Sequence, residues 1–326
     1  TLFITTFGFA TVTVDGYALL ENQTDHSGIT ITFVRTAPTS LTETATTDAN
    51  GAFTTELELG VYNITYSKDG YFNEWLNDQG LYSNTTLDSD TLLTYTSLIN
   101  VPTLFSTIQS AVDHAFEGDT VLIQEGEYFE NISIGKSNII ISSNFIISSD
   151  YSDVEGTIIN GNDNGEHAIA NIQDAPWHGT GSITIIGLTI QNCSSSGIAF
   201  SHSSNNLIDH CIIKDNSSNN GGGLFLNYAH FQITNTVFKN NVSSTGAAIN
   251  VFANGSAILT NCTIDANSGG PAITGYQSLS TAITLKNCIV SNNNNGNDAI
   301  FGFNNILIEY SNFFNNELPD ENYYGV

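Results

Sequence analysis

The sequence predicts an all-β protein: an N-terminal β-sandwich followed by a right-handed parallel β-helix with a capping α-helix. Three observations support this prediction. One phrase is repeated six times between residues 185 and 316, residues 11–98 alternate apolar and polar side chains in short runs, and helical spacing of apolar residues is clear over residues 103–117. The predicted domains are therefore 11–98 for the sandwich and 103–326 for the β-helix.

The repeated phrase begins with an aliphatic residue, places an apolar residue five positions later and, in five of the six copies, Asn eight positions later. The copies start at Ile185, Ile208, Ile233, Leu259, Leu285 and Ile308, with spacings of 23, 25, 26, 26 and 23 residues. A fixed period in this range is typical of stacked supersecondary units. Because the copies are rich in Ile, Val, Phe and Thr and are divided by Gly and Ser, we expect coils of short strands that pair in parallel about 4.8 Å apart. Regular coils are predicted over residues 183–316.

The asparagines eight positions into the phrase are predicted to form a structural ladder inside a turn. In stacked coils each side-chain amide reaches its neighbour and the turn backbone, which satisfies buried polar groups. The predicted ladder contains Asn216, Asn241, Asn267, Asn293 and Asn316, and Cys193 takes this position in the first copy.

The four cysteines are too few to hold the fold by disulfides. Cys211, Cys262 and Cys288 share the position three residues into the phrase, so we expect them to point the same way as small buried side chains. Cys262 and Cys288 are one coil apart and within reach of a disulfide, but a stack of free thiols is the favoured interpretation. No Cys or His spacing matches a zinc site.

Charge is sparse and one-sided, with 32 acidic and 6 basic residues. This balance disfavours nucleic acid and anionic membrane surfaces as partners, because both require clustered Lys or Arg. No apolar run is long enough to insert into a membrane. The acidity suits a secreted or cell-surface protein. Residues 1–10 are uncharged and fit either the remnant of a secretory signal peptide or a first strand.

The sandwich prediction rests on apolar–polar runs near 12–20, 29–35, 52–58, 61–67 and 91–98, with turn signals at 48–51 and 68–70. Residues 14–17 (VDGY), 47–53 (TDANGAF), 59–64 (LGVYNI) and 67–71 (SKDGY) resemble the carboxypeptidase regulatory-like domain, a transthyretin-like sandwich. The resemblance implies a non-catalytic spacer or binding module of secreted and surface proteins.

The predicted helix over 103–117 would begin at a cap on Thr103 or Ser106 and end at Gly118. Together with the strand-like runs that follow, residues 105–134 resemble the opening of pectin-lyase-like β-helix proteins, including pectin methylesterases. That resemblance implies that the helix covers the open apolar end of the β-helix. Further strands are expected at 138–142, 157–160 and 168–172, in irregular coils before the regular ones.

Within the regular coils, residues 221–224 (GGGL), 238–241 (FKNN) and 246–249 (GAAI) resemble the repeats of polymorphic outer-membrane adhesins. The resemblance implies the same fold and an adhesive role at a cell surface. Residues 318–326 show no clear cap, so we expect the natural chain to continue with more coils or a further domain.

No catalytic residue is predicted. A glycoside hydrolase needs two nearby carboxylates, whereas Asp209 and Glu309 share a column but lie four coils apart. Residues 208–211 (IDHC) look like a pectate lyase phrase, but the calcium-binding acids and the Arg that accompany it in that family are missing; the sole Arg is Arg35, in the sandwich. No serine nucleophile elbow is present.

Several residues are candidates for weak carbohydrate binding. They are Trp177, His178, Asp209, His210, Lys214 and Lys239. Lys214 and Lys239 stack on adjacent coils with Asp265 on the next, a pattern that also describes an ordinary solvated face. An aromatic ring such as Trp177 either stacks on a sugar or fills the core.

Residues 160–166 (NGNDNGE) offer the oxygen ligands that calcium accepts. The candidate ligands are Asn162, Asp163, Asn164 and Glu166, although turn chemistry explains the same residue types. Calcium is the single cofactor that the sequence suggests.

The sequence therefore favours a secreted or surface-displayed, non-catalytic β-helix protein that binds a polysaccharide or cell-surface glycan, with the sandwich as a spacer. One alternative is a polysaccharide-active lyase, hydrolase or esterase. Another is a filament subunit that self-associates when the strand over residues 1–17 pairs with an open sheet edge of a neighbour.

Overall fold

The computed structural model describes residues 10–171, 182–275, 281–293 and 299–316. The chain divides into two compact units, Thr1–Thr96 and Ser97–Val326. The first is a β-sandwich and the second a right-handed β-helix of about 8 turns, which confirms the predicted fold class. None of the described helices is long and apolar enough to cross a membrane.

Two sheets build the sandwich. In the first, Thr11–Leu20 lies between the antiparallel strand Ala52–Glu58 and two short parallel strands, Thr85–Thr86 and Asp90–Leu92. The second sheet is antiparallel, in the order Leu41–Thr46, Thr30–Ala37, Gly60–Ser67 and Glu74–Leu81. Alternating side chains of both sheets form the core, where the ring of Phe53 lies 6.3 Å from that of Phe33 and 6.2 Å from that of Tyr66.

Three of these strands were not expected from the sequence: Thr85–Thr86, Leu41–Thr46 and Glu74–Leu81. Leu41–Thr46 and Glu74–Leu81 are the edges of the second sheet, and most of their side chains are polar and exposed, so they lack the alternation of a half-buried strand. The strand expected over 91–98 is wrong. Its ends belong instead to Asp90–Leu92 in the sandwich and to Leu98–Val101 in the β-helix.

The strand Thr11–Leu20 is paired on both sides. Residues 11–17 pair with residues 52–58, and on the other side the strand meets Thr85–Thr86 and Asp90–Leu92. One edge of residues 11–17 is therefore paired throughout and the other is paired at Val14 and Asp15, so a neighbour's sheet could not add along the whole of this part. The remainder of the filament prediction, and the signal-peptide prediction for residues 1–10, concern residues 1–9, which lie outside the described residues.

Three parallel sheets form the walls of the β-helix. Sheet 1 contains Leu98–Val101, Thr120–Ile123, Ile139–Ser143, Ile183–Ile186, Asn206–Asp209, His230–Thr234, Ser256–Thr260, Ala282–Lys286 and Asn305–Glu309. Sheet 2 contains Gly126–Tyr128, Thr157–Asn160, Thr189–Gln191, Ile212–Lys214, Val237–Lys239, Thr263–Asp265, Ile289–Ser291 and Asn312–Phe314. Sheet 3 contains Ile132–Ile134, Ile169–Asn171, Ile198–Ser201, Leu224–Asn227, Ile249–Phe252, Ile273–Gly275 and Ile300–Phe301. Two short strands, Ser217–Ser218 and Val242–Ser243, pair between sheets 2 and 3.

Each coil passes through sheets 1, 2 and 3 in that order. Coil 1 starts at Thr120, and the six copies of the repeated phrase form coils 3 to 8. The first corner joins sheet 1 to sheet 2, the second joins sheet 2 to sheet 3, and the third returns to sheet 1. The start of each phrase and its fifth position both point inward, as Ile208 and Ile213 illustrate, each 0% exposed.

Helix α1 spans Ile108–His114 and buries Ile108, Ala111 and Val112. It is shorter than the predicted 103–117. Its cap is Thr107, whose hydroxyl accepts a bond from the backbone N–H of Ser110, and not Thr103 or Ser106.

Charged residues of coil 1 hold both ends of α1. The Glu130 carboxylate accepts the N–H groups of Ile108 and Gln109, each at 3.0 Å. Lys136 donates to the carbonyls of Asp113 and Ala115 at the other end. Both contacts complement the helix dipole and satisfy groups that a helix cannot bond internally.

Two short helices occupy the first corner of coil 2. They are α2, Phe145–Ser148, and α3, Tyr151–Gly156. The side chain of Asp150 caps α3 by accepting from the N–H of Ser152 at 3.0 Å. The Thr189 hydroxyl in sheet 2 donates to the Val154 carbonyl at 2.8 Å, which ties the insertion to the β-helix wall.

Candidate functional site

Left-handed backbone conformations mark the first and second corners of the regular coils. Counting the start of each phrase as zero, positions two and seven have positive φ. At position two these residues are Gly187, His210, Asn235, Asn261, Asn287 and Tyr310. At position seven they are Asn192, Asp215, Asn240, Ala266, Asn292 and Asn315. Asn and Asp tolerate this region best among residues with a side chain. This explains why asparagines that are not part of the ladder recur at positions two and seven.

The structure places the five predicted ladder asparagines in one column at the second corner. Each Oδ1 from Asn241 onward accepts both the backbone N–H and the Nδ2 of the Asn one coil earlier, at 2.9–3.1 Å. Each Nδ2 also donates to a carbonyl at position five of the preceding coil. At coil 3 the backbone N–H of Cys193 donates to Asn216 Oδ1, so the column continues without a side-chain amide. These bonds satisfy the buried amides and leave the ladder no free group for a ligand.

All four cysteines are buried free thiols. Cys211, Cys262 and Cys288 share position three with Thr236 and Ser311, and every member of this column contacts the carbonyl two residues earlier, across the left-handed residue. Burial raises the pKa of Cys211 to about 12. The column therefore closes the first corner, and Cys211 within it is an unreactive thiol.

The first corner of coil 4 holds the predicted pair Asp209 and His210. Asp209 Oδ2 lies 2.8 Å from His210 Nδ1. The geometry at Nδ1 is not that of a hydrogen bond. Asp209 Oδ1 accepts the Thr234 hydroxyl at 2.5 Å and Asn235 Nδ2 at 3.0 Å, both from coil 5. Burial raises the pKa of Asp209, but the hydrogen bonds from Thr234 and Asn235, together with the nearby His210 ring, outweigh it and hold the pKa below its ordinary value. The carboxylate is thus ionised and fixed in orientation.

The α2–α3 insertion brings two aromatic rings to this corner. The Phe145 ring lies 4.7 Å from that of His210, and the Tyr151 ring stands nearly perpendicular to His210 at 5.8 Å. Gly187 lies between them on coil 3, where a Cβ would come within 2.6 Å of Phe145 Cβ. Tyr151 is 52% exposed, whereas Phe145 is buried. We call Phe145, Tyr151, Asp209 and His210 the first-corner site.

The sequence analysis did not identify Phe145 or Tyr151 as members of a site. The apolar run at 145–147 suggests a strand rather than a helix, and nothing local connects it to His210, two coils away. A partial signal was present, because Asp150 followed by Ser152 and Asp153 is typical of a helix N-terminus.

The two lysines lie apart from this site, on the outer face of sheet 2. Lys214 and Lys239 are paired in register, and Asp265 follows. Lys239 Nζ lies 4.0 Å from Asp265 Oδ2, with the lysine side chain 50% exposed. An ion pair this long and exposed contributes about 0–1 kcal/mol to stability. The structure does not bring these lysines together with Asp209 and His210. Trp177 and His178 lie outside the described residues.

The candidate calcium loop is organised by turn hydrogen bonds. Asn160 Oδ1 accepts the N–H of Asn162, and Asn164 Oδ1 accepts the N–H of Glu166, at 2.9 and 3.0 Å. Asn164 Nδ2 donates to Asn131 Oδ1 at 2.6 Å. No group of three or more His, Cys, Asp or Glu suited to a metal occurs in the part of the chain that the structure describes. Calcium binding here stays a prediction.

Sheet 1 shows no paired carboxylates on its outer face within the described residues. The column that contains Asp209 continues through Thr234, Thr260 and Lys286 to Glu309. Glu309 lies 3.1 Å from Lys286 Nζ and is four coils from Asp209. Separated by about 19 Å at 4.8 Å per coil, the two acids cannot act on one glycosidic bond.

A family model agrees with the architecture of the β-helix. Residues 177–326 match a family model described as the right handed beta helix region. No curated protein matches the sequence. Similar solved structures include pectin methylesterases from Yersinia enterocolitica (10% identity, 64% of this chain and 90% of that chain, TM-score 0.40) and from Erwinia chrysanthemi (12%, 64% and 81%, TM-score 0.41). Another is a type II cohesin–X–dockerin complex from Acetivibrio cellulolyticus (20%, 28% and 67%, TM-score 0.23). No residue role is transferred from any of them.

Proposed function

We propose that this chain is a secreted or cell-surface, non-catalytic protein that binds glycan through the first-corner site. The observation that supports the proposal is the half-exposed ring of Tyr151 beside the ordered Asp209 carboxylate and the His210 ring. Binding sites for small polar ligands combine an apolar or aromatic surface with a few fixed polar groups. A pyranose has both complements, because its C–H face packs on a ring and its hydroxyls donate to a carboxylate.

The surroundings of Tyr151 favour a site that is ordered before binding. The Asp153 carboxylate within α3 accepts from Asn144 Nδ2 and from the Ser148 hydroxyl, which locks α2 against α3. The Tyr151 ring lies 5.6 Å from the Phe145 ring at 67°. A surface that is already rigid loses little conformational entropy when a ligand binds.

A polysaccharide-active enzyme is the second candidate, and one observation favours it. The Asp209–His210 contact of 2.8 Å has the separation of a pair that orients a general base, although Nδ1 does not have hydrogen-bond geometry. It lacks a second acid or a nucleophile among the described residues nearby, so binding without turnover is the better-supported function.

The test measures glycan binding by the whole chain and by single variants on an array of acidic and neutral polysaccharides. Tyr151→Ala is expected to weaken binding at least tenfold. Tyr310→Ala is the matched control, because Tyr310 is 92% exposed and occupies the same corner column as His210 four coils away. Equal binding by the Tyr151 variant and the wild type would contradict the assignment. New reducing or unsaturated ends in the incubated polysaccharide would support the enzyme instead.

The first unit is proposed to act as a carboxypeptidase regulatory-like spacer. Its predicted turn at 48–51 is built by Asp48, whose Oδ1 accepts the N–H groups of Asn50 and Ala52 at 2.8 and 2.9 Å, with Gly51 at φ 83°. Arg35 is buried and bonds Glu58 at 2.7 Å. An adhesive role at a cell surface and calcium binding at residues 162–166 are further proposals, and thermal unfolding with calcium or with a chelator tests the latter.

A further inference from the structure

The third corner of the β-helix carries two stacked aromatic rings, at the opposite end of the sheet-1 strands from the first-corner site. His202 and Tyr228 end coils 3 and 4, and their rings lie 4.9 Å apart at 10°. Both have a left-handed backbone, at φ 52° and 51°, as does Ala253 in the same column on coil 5. Tyr228 is 44% exposed. A ligand can therefore reach a ring that is already stacked on His202.

The strand His230–Thr234 of sheet 1 connects this corner with the first-corner site. Its second and fourth side chains are buried, so its first, third and fifth point outward, and these are His230, Gln232 and Thr234. Tyr228 precedes the strand by two residues, and at the other end the Thr234 hydroxyl donates to Asp209 Oδ1. At about 3.3 Å per residue, the row covers about 13 Å, with the rings of Tyr228 and Tyr151 beyond its two ends.

The middle of the row offers polar and apolar contacts that solvent reaches. Gln232 is exposed, and no hydrogen bond within the described part of the chain engages its amide. Leu207 lies beside it on coil 4 and Ile258 on coil 6, both in register. Ile258 is 44% exposed and Leu207 is partly exposed. The amide can bond sugar hydroxyls, and the two aliphatic side chains can pack on C–H groups.

His230 supplies a second polar group, next to Tyr228. Its Nδ1 lies 2.8 Å from Ser256 Oγ on coil 6, a contact that orients the ring. The His230 side chain is exposed, so its other ring nitrogen is available to a ligand. The third corner thus combines a ring with an oriented polar group, as the first-corner site does.

The charges around the row favour an uncharged ligand. The Asp209 carboxylate lies at one end of the row, and Lys286, three coils from Asp209 on sheet 1, already pairs with Glu309. The other described lysines of the β-helix lie on sheet 2 (Lys214, Lys239) and at the end of α1 (Lys136). A uronate chain would meet this carboxylate without a cation to balance its own charges, whereas a neutral sugar offers it hydroxyl donors.

We propose that a neutral oligosaccharide lies across the outer face of sheet 1 at coils 4 to 6. One end rests on the first-corner site, the other rests on Tyr228 and His230, and Gln232 bonds hydroxyls between them. The inference rests on the proposed function and deepens it, because it adds a second aromatic contact and specifies a ligand that is uncharged and long enough to reach both rings.

Calorimetric titration of the whole chain tests the inference. The ligands are cellohexaose, xylohexaose and mannohexaose, the disaccharides of the same sugars, and hexagalacturonate. The wild type is expected to bind a neutral hexasaccharide at least tenfold more tightly than its disaccharide, because two linked contacts act together. Tyr228→Ala is expected to abolish this advantage, and Gln232→Ala to lower the hexasaccharide affinity at least threefold.

Both variants are expected to fold. Ala253 adopts in its own coil the left-handed conformation that Ala would need in place of Tyr228. Gln232→Ala truncates an exposed side chain. Phe314→Ala is the matched control, because Phe314 is 49% exposed but lies on sheet 2, and it is expected to bind as the wild type does.

The outcomes separate this inference from the proposed function. Loss of the hexasaccharide advantage in Tyr228→Ala, with Phe314→Ala unchanged, supports the inference. Wild-type affinity in Tyr228→Ala and Gln232→Ala overturns it, and loss of binding in Tyr151→Ala in that case leaves the first-corner site standing. Equal affinity of the wild type for hexasaccharide and disaccharide overturns the spanning ligand, and preference for hexagalacturonate overturns the neutral one. Absence of binding by any of these sugars overturns both proposals.

Discussion

Replacing Asn267 by Ala removes the central member of the ladder. Asn267 is 0% exposed. Its Oδ1 accepts the backbone N–H and Nδ2 of Asn241, each at 3.0 Å, and its Nδ2 donates to the Phe238 carbonyl and to Asn293 Oδ1, at 3.1 and 3.0 Å. Ala leaves both Asn241 donors facing an apolar methyl group inside the turn.

The magnitude follows from these two orphaned donors. A buried donor left without a partner costs about 1–3 kcal/mol, so Asn267→Ala is expected to lower the free energy of unfolding by about 2–6 kcal/mol. Asn316 makes the same kind of bonds at the last described coil but is only partly buried. Water can replace the lost partner there, so Asn316→Ala is expected to cost about 0.5–1.5 kcal/mol.

Equilibrium unfolding in urea, followed by circular dichroism, measures both variants. Neighbouring coils unfold together because each coil stabilises the next. The urea concentrations at the midpoint of unfolding are therefore compared with one m-value for all variants. The reasoning fails if Asn267→Ala costs no more than Asn316→Ala, because the burial of the ladder would then not determine its contribution. Asn267→Asp should be at least as harmful as Ala, since a carboxylate places acceptors against the Phe238 and Asn293 oxygens.

Four further predictions concern the first corner of the coils and the start of α1. Glu130→Gln removes the charge at the start of α1 and should cost about 0.5–2 kcal/mol in thermal unfolding, whereas the exposed Glu166→Gln should cost nothing measurable. Because the pKa of Asp209 is lower in the folded state, this residue contributes stability above about pH 4 that is lost as the pH falls; Asp209→Asn should flatten this part of the pH–stability curve. Cys262→Ser should be less destabilising than Cys262→Val in urea, because a hydroxyl keeps the bond to the carbonyl two residues earlier, as in the rest of its column. His210→Asn should leave stability within about 1 kcal/mol of the wild type but lower glycan affinity at least tenfold on the array.

The regular coils were predictable because their pattern is local and repeated. The start of each phrase and its fifth position are apolar in every copy, and a parallel stack is the arrangement that buries both. The ends of α1 were not predictable in this way. Phe105 continues the helical spacing and is buried, yet it precedes the cap at Thr107, so an apolar residue can pack on the core next to a helix without belonging to it.

The candidate sites depend on contacts that no local pattern reveals. Phe145 reaches His210 because Gly187, on the coil between them, has no side chain. The outer column of sheet 3 likewise depends on register, since Asn250 and Thr274 become neighbours only when coils 5 and 6 are aligned. The spacing of the repeats identifies which residues stack in one column. Which side chains share an outer face depends also on the residues that each coil inserts at its corners.

His210 departs from the Gly and Asn of its own column, as the exposed Tyr310 does, and the groups packed around His210 favour the first-corner site. Position two requires a left-handed backbone, which Gly187 and three asparagines adopt readily, and which His210 adopts at φ 51° and Tyr310 at φ 52°. A non-Gly residue held there is strained unless its surroundings offset the strain, and such residues cluster at functional sites. Around His210 the compensation comes from Asp209 and from the rings of Phe145 and Tyr151, the groups proposed to meet a sugar. If Asn at this position folds equally well, as we expect, then stability does not require His210, and binding is the function left to explain it.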